Sequence, residues 1–208
     1  MAVSAALASA GGVIFGLLEQ WPVWGVGVAG LVPWLPVLVS ETRWLSRLHG
    51  PLALFYVLVV TQTAHLLEHV VQMTQIHILR LGGVEARGVF GALDVEWVHF
   101  LWNTWVLATV LLLLRSFRNN RWLWVTAWLA VWHEAEHVVV FSTYLLTGQA
   151  GTPGLLGQGG LVAGGLPLRR SDLHFLYNLI ETAFLVGAFL WQFPRFGKGV
   201  AGTGAGRA

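Results

Sequence analysis

His65-Leu66-Leu67-Glu68-His69 is answered sixty-eight residues later by His133-Glu134-Ala135-Glu136-His137, and both copies lie inside long apolar runs. Ionisable side chains are costly in such surroundings and usually serve a function where they occur. On a helix, positions i, i+3 and i+4 share one side. Each copy therefore presents two imidazoles and one carboxylate together, a donor set suited to a metal ion. A chain with two such sets must bury them, which points to a helical bundle with a polar interior.

The surrounding sequence is membrane-like. Of 208 residues, 56% are hydrophobic and 11% are charged, against roughly a quarter charged in soluble domains. Several runs exceed the roughly 18–20 residues needed to cross a bilayer as helix. Spans are expected near 13–39, 51–81, 92–115, 121–147 and 167–193. The fold class is thus an all-α polytopic membrane protein with about five transmembrane helices in one domain, 1–195. A Gly-rich basic tail, 196–208, reads as disordered. Pro22, Pro33 and Pro36 interrupt the first run, which is expected to cross once, as a kinked helix or as a helix plus a re-entrant stretch. The N-terminus lacks the basic region of a signal peptide, so this run is read as retained.

Basic residues sit in short loops and the tail, so they report orientation rather than nucleic-acid binding. Arg43 and Arg47, then Arg115, Arg118 and Arg121, fall on the side of the tail. The positive-inside rule makes that side cytoplasmic and places the N-terminus outside. The absence of cysteine excludes disulfides, thiolate ligands and iron–sulfur clusters. Histidine, carboxylate and amide remain as ligands.

The duplication extends further. Val98-His99-Phe100-Leu101-Trp102-Asn103 matches Leu173-His174-Phe175-Leu176-Tyr177-Asn178. Two helix hairpins of like orientation can pack as a four-helix bundle about a pseudo-two-fold axis. The expected metal ligands are His65, Glu68, His69 and His99 facing His133, Glu136, His137 and His174. The set suits two ions, with Glu68 and Glu136 bridging or terminal. Asn103 and Asn178 would fix ring tautomers. Glu181 shares a face with His174 and Asn178, whereas its counterpart is Val106; it is a candidate catalytic carboxylate that makes the site asymmetric. His99 and His174 lie near the starts of their runs. To reach the level of the other histidines, their helices would have to begin near Val89 and Pro167; otherwise they form a separate cluster with His77.

Imidazole with carboxylate suits iron first, then zinc or copper. The set resembles that of membrane desaturases and hydroxylases in ligand inventory alone. The leading expectation is a di-metal oxidoreductase acting on a lipid or other hydrophobic substrate, with an electron donor. The Gly-rich segment 148–165 would cover the site. Facing histidines could instead hold haem b in a cytochrome, and the same donors could serve a metal transporter or chaperone. His133-Glu134-x-x-His137 also matches the zinc-protease signature, in which Glu134 would be the catalytic base.

Overall fold

The computed structural model describes residues 1–82, 85–91 and 95–204, with side chains through Pro194. Asp94, at the expected start of the third span, and all side chains of the tail, 196–208, lie outside this description. Helices supply the regular structure among the described residues: α1 (Ala2–Leu18), α2 (Val23–Leu31), α3 (Leu35–Leu48), α4 (Gly50–Met73), α5 (Glu96–Ser116), α6 (Arg121–Thr147) and α7 (Arg170–Gly204).

The first apolar run is not a single kinked crossing. Gln20 takes a left-handed conformation (φ +53°), and Pro22 starts α2 from an extended backbone. The chain reverses there, and α1 packs back along α2 as a hairpin. Small residues allow the close approach: Ser9 Oγ donates to Gly30 O at 2.6 Å, and a methyl group at Gly12 would lie 3.1 Å from Ala29 O. Beyond α2, a 3₁₀ turn at Val32–Trp34 carries the helix past Pro33 into α3. Hydropathy alone could not reveal the reversal, because both arms are apolar.

Helices α4 to α7 form a ring in which α5 packs on α6, α6 on α7 and α7 on α4, while α3 lies outside α4. Local chemistry sets their ends. Pro51 opens α4 after the extended His49, and a π-helical turn, Thr74–Ile78, closes it. Asn120 caps α6, its Oδ1 accepting from Leu123 N at 3.1 Å, and Gly148 ends that helix in left-handed geometry.

The half of the ring nearest the α5–α6 turn is an apolar core of Leu52, Phe55, Val110, Leu113, Leu123, Leu185 and their neighbours. His49 against Phe117, with ring centroids 5.8 Å apart, puts the α3–α4 and α5–α6 turns at this same end. The opposite half of the interior is polar. Outward, large side chains such as Leu67, Leu101, Leu112, Trp128 and Leu190 are exposed. Four helical stretches, Val23–Leu48, Gly50–Ile78, Glu96–Ser116 and Arg170–Pro194, are long and apolar enough to cross a membrane. They are compatible with membrane insertion. Helix α6 is as long, at 27 residues, but carries His133, Glu134, Glu136 and His137 at its centre.

Candidate metal centre

Six histidines from four helices meet in the polar half of the ring. His65 and His69 come from α4, His99 from α5, His133 and His137 from α6, and His174 from α7. They form two groups in which one ring nitrogen per residue lies within 4.8 Å of the others: His65, His69, His99 and His174, and His133, His137 and His174. His174 belongs to both.

The levels match although α5 starts at Glu96 and α7 at Arg170, later than the starts near Val89 and Pro167 that equal depth was expected to require. The regular part of α4 ends at Met73, so His69 is itself only one turn from a helix end. The centre therefore sits at the mouth of the bundle. His77 stands apart, its Nε2 2.6 Å from Asp172 Oδ1.

The tightest part is a triangle. His133 Nε2 lies 3.1 Å from His174 Nδ1 and 3.3 Å from His137 Nε2. The third side, His137 Nε2 to His174 Nδ1, is 3.3 Å. Nitrogens held at about 2.0–2.1 Å by a tetrahedral ion stand about 3.3–3.4 Å apart. His65 Nε2 and His69 Nε2 are 3.2 Å apart in the other group.

Hydrogen bonds fix the rings from behind. His133 Nδ1 donates to Glu181 Oε2 at 2.9 Å, with both side chains 1% exposed. That leaves His133 Nε2 as a lone pair. His99 Nδ1 donates to Val95 O at 3.1 Å, and His69 Nδ1 meets Gln72 Oε1 at 3.2 Å. A further chain begins at Trp102, which can only donate: its Nε1 reaches Gln62 Oε1 at 3.0 Å. Gln62 Nε2 then donates to Asn178 Oδ1 at 3.1 Å, turning Asn178 Nδ2 toward His174 Nε2 at 3.2 Å. A donor-only indole thus sets both amides and the acceptor nitrogen of His174.

These polarities leave the triangle short of partners as a hydrogen-bond network. His174 Nδ1–H can serve His133 Nε2, but His137 then has no acceptor of its own. Its Nδ1 is buried and unpartnered. Orphaning a buried polar group costs about 1–3 kcal/mol; a cation would engage the three facing nitrogens, Nε2 of His133 and His137 and Nδ1 of His174, while His137 Nδ1 keeps its proton without a partner.

The carboxylates divide differently from expectation. Glu181 joins the centre through His133. Glu68 and Glu136 turn to the loops: Glu68 Oε1 accepts from Phe90 N at 2.7 Å, and Glu136 Oε1 from Leu155 N at 2.9 Å. Each lies against a glycine with positive φ, Gly88 and Gly154, where a Cβ would collide with the carboxylate. Glu134 faces away from the histidines and accepts from Thr104 Oγ1 at 2.7 Å. Asn103 is buried but donates to His99 O, at 2.9 Å, rather than to a ring.

A second anchor holds segment 148–169 over the bundle. Glu96 receives Arg170 Nη1 at 2.6 Å, Arg170 Nη2 at 2.5 Å and Gly151 N at 2.8 Å. Gly154→Ala is expected to free this segment, since left-handed geometry costs about 1–2 kcal/mol for a residue with Cβ and the Glu136 contact is lost as well. Gly151→Ala has the same backbone cost but open space around it, so limited proteolysis of the segment should rank Gly154→Ala well above it. Equal cleavage would remove Glu136 as the anchor.

Residues that the sequence reading passed over are Gln62, Trp102, Glu96 and Arg170. Gln62 carried a signal, an isolated amide one turn before His65 in an apolar run. Comparison with protein-family models, with curated proteins and with solved structures gives no match.

Proposed function

We propose that this chain is an integral membrane metalloprotein holding two transition-metal ions between α4, α5, α6 and α7, and that it works as an oxidoreductase. The triangle of His133, His137 and His174 carries the reading: its nitrogens have metal-ligand spacing, an anionic partner behind one ring and no complete hydrogen-bond solution. A cation seated there would replace the proton that His174 Nδ1 otherwise shares with His133, leaving His174 an imidazolate, whose Nε2 would serve a second ion in place of the Asn178 amide. Imidazoles backed by a carboxylate favour iron, then zinc or copper, and iron supplies the redox chemistry. Electrons come from a separate donor.

The repeated hairpin supports the pairing of sites. Glu68 with the Gly88–Phe90 loop and Glu136 with the Gly154–Leu155 loop act as equivalent anchors after equivalent helices. The apolar outer surface supports membrane placement. The Arg43/Arg47 and Arg115/Arg118/Arg121 turns share one end, which the positive-inside rule makes cytoplasmic, with the metal centre toward the outer face. The outer N-terminus rested on a single first crossing; the α1–α2 hairpin removes that premise.

Competing chemistries fit less well. Ring centroids 4.6–6.3 Å apart in neighbouring histidine pairs leave no room for a porphyrin between facing rings. The sealed apolar half argues against an ion path, and the outward Glu134 argues against a protease base. The substrate retains the hydrophobic body expected from the sequence but needs a polar end, since a cavity reaching His69, His99 and His174 is also lined by Arg87, Glu96 and Arg170.

Elemental analysis of detergent-purified protein, with its absorption spectrum, tests the proposal. About two ions per chain and no Soret band are expected, with His69→Ala and His137→Ala each lowering the content. Full metal content in both variants would overturn it.

A further inference from the structure

Two metal sites that share His174 need not be alike, and the groups around them differ in two respects. A cavity of about 660 Å³ opens onto the centre, lined by His69, His99 and His174 together with Gln72, Glu96 and Arg170. His133 and His137 are not among its walls. The space beside His137 and Glu136 is about 10 Å³, room for no more than one water.

The partners behind the rings differ in charge. His133 is backed by the buried Glu181 carboxylate, and the position equivalent to Glu181 in the other half is the buried Val106. His69 and His99 are backed by neutral oxygens, of Gln72 and of Val95. A carboxylate behind a ligating imidazole raises its basicity and offsets part of the ion's charge; loss of such a partner typically weakens metal affinity 10–100-fold.

Resting on the two-ion reading, we infer that the sites are unequal in kind. The His133/His137/His174 site, backed by Glu181, is closed and retains its ion. The site of His65, His69 and His99, sharing His174, faces the cavity, exchanges its ion and keeps a coordination position open to a small anionic donor. The missing carboxylate behind these rings is the reason: the Glu96 carboxylate in the cavity wall is already paired with Arg170, and an exogenous anion entering from the cavity supplies the counter-charge. Substrate or oxidant would bind at this ion.

The test uses the full chain in detergent, loaded with cobalt(II) and challenged with excess EDTA, with bound metal followed over time. Two phases of one ion each are expected, at least tenfold apart in rate. Glu181→Gln keeps the side-chain shape and should speed the slow phase at least tenfold, leaving the fast phase unchanged. His69→Ala should abolish the fast phase. Azide should change the cobalt spectrum of the wild-type chain and of Glu181→Gln, but not of His69→Ala. Loss of both ions in a single phase, or an azide response that survives His69→Ala, overturns the inference while leaving the two-ion reading intact. Failure to load two ions overturns both. If Glu181→Gln does not fold, the wild-type phases and the His69→Ala azide response still decide.

Discussion

His174→Ala should deplete both metal ions, a larger effect than any other single histidine replacement. His174 alone belongs to both nitrogen groups. His69→Ala and His137→Ala each strike one group, so each should spare close to one ion per chain. His174 also terminates the Trp102–Gln62–Asn178 chain, and removing its ring leaves the Asn178 amide facing a void. His174→Asn separates the two consequences, because a shorter polar side chain offers Asn178 a partner without supplying an imidazole. Both variants should fall below about half an ion per chain by elemental analysis, with helical content by circular dichroism retained in the Asn variant. Retention of one full ion in a folded His174 variant would show that three histidines suffice elsewhere and that His174 is not shared.

Much of this histidine cluster was legible in the sequence because imidazoles within apolar helices have few alternatives to facing one another. The spacing of His65/His69 and His133/His137 fixed two pairs, and the His-x-x-x-Asn matches singled out His99 and His174. The carboxylates were misdirected for a geometric reason. At 3.6 residues per turn, the i+3 position lies about 100° around the helix from i+4. Glu68 and Glu136 are therefore offset from the second histidine of each motif and meet the returning loop instead. The reversal at Gln20 was hidden because an apolar hairpin and an apolar span have the same composition. Trp102 was hidden because most membrane tryptophans sit at the interface, and only the position of Gln62 reveals that its N–H is in use.

Arg170→Ala should produce the largest loss of stability among surface-accessible changes. Glu96 is buried at 6% exposure and Arg170 is 27% exposed on the side-chain scale; the guanidinium supplies two of the three hydrogen bonds that hold the carboxylate. Removing one partner of a buried pair typically costs 3–5 kcal/mol. The partial exposure of Arg170 sets the expectation at about 3 kcal/mol, the low end of that range. For a chain of this size that corresponds to a fall of roughly 6–12 °C in Tm, measured in detergent at matched metal content because bound ions also stabilise. Glu96→Gln combined with Arg170→Ala should recover part of the loss, since no unpaired charge is then left behind. Arg170→Lys should fall between, keeping the charge but not the two-pronged geometry. The consequence extends to the metal. His99 follows Glu96 by three positions and His174 follows Arg170 by four, so the clamp joins the two helix starts one turn from the rings they present. It fixes the level at which α5 and α7 deliver His99 and His174 beside His69, and Arg170→Ala should therefore weaken the cavity-facing ion more than the closed one. An unchanged Tm, or a double variant as unstable as Arg170→Ala alone, would show that the ion pair does not hold the mouth of the bundle together.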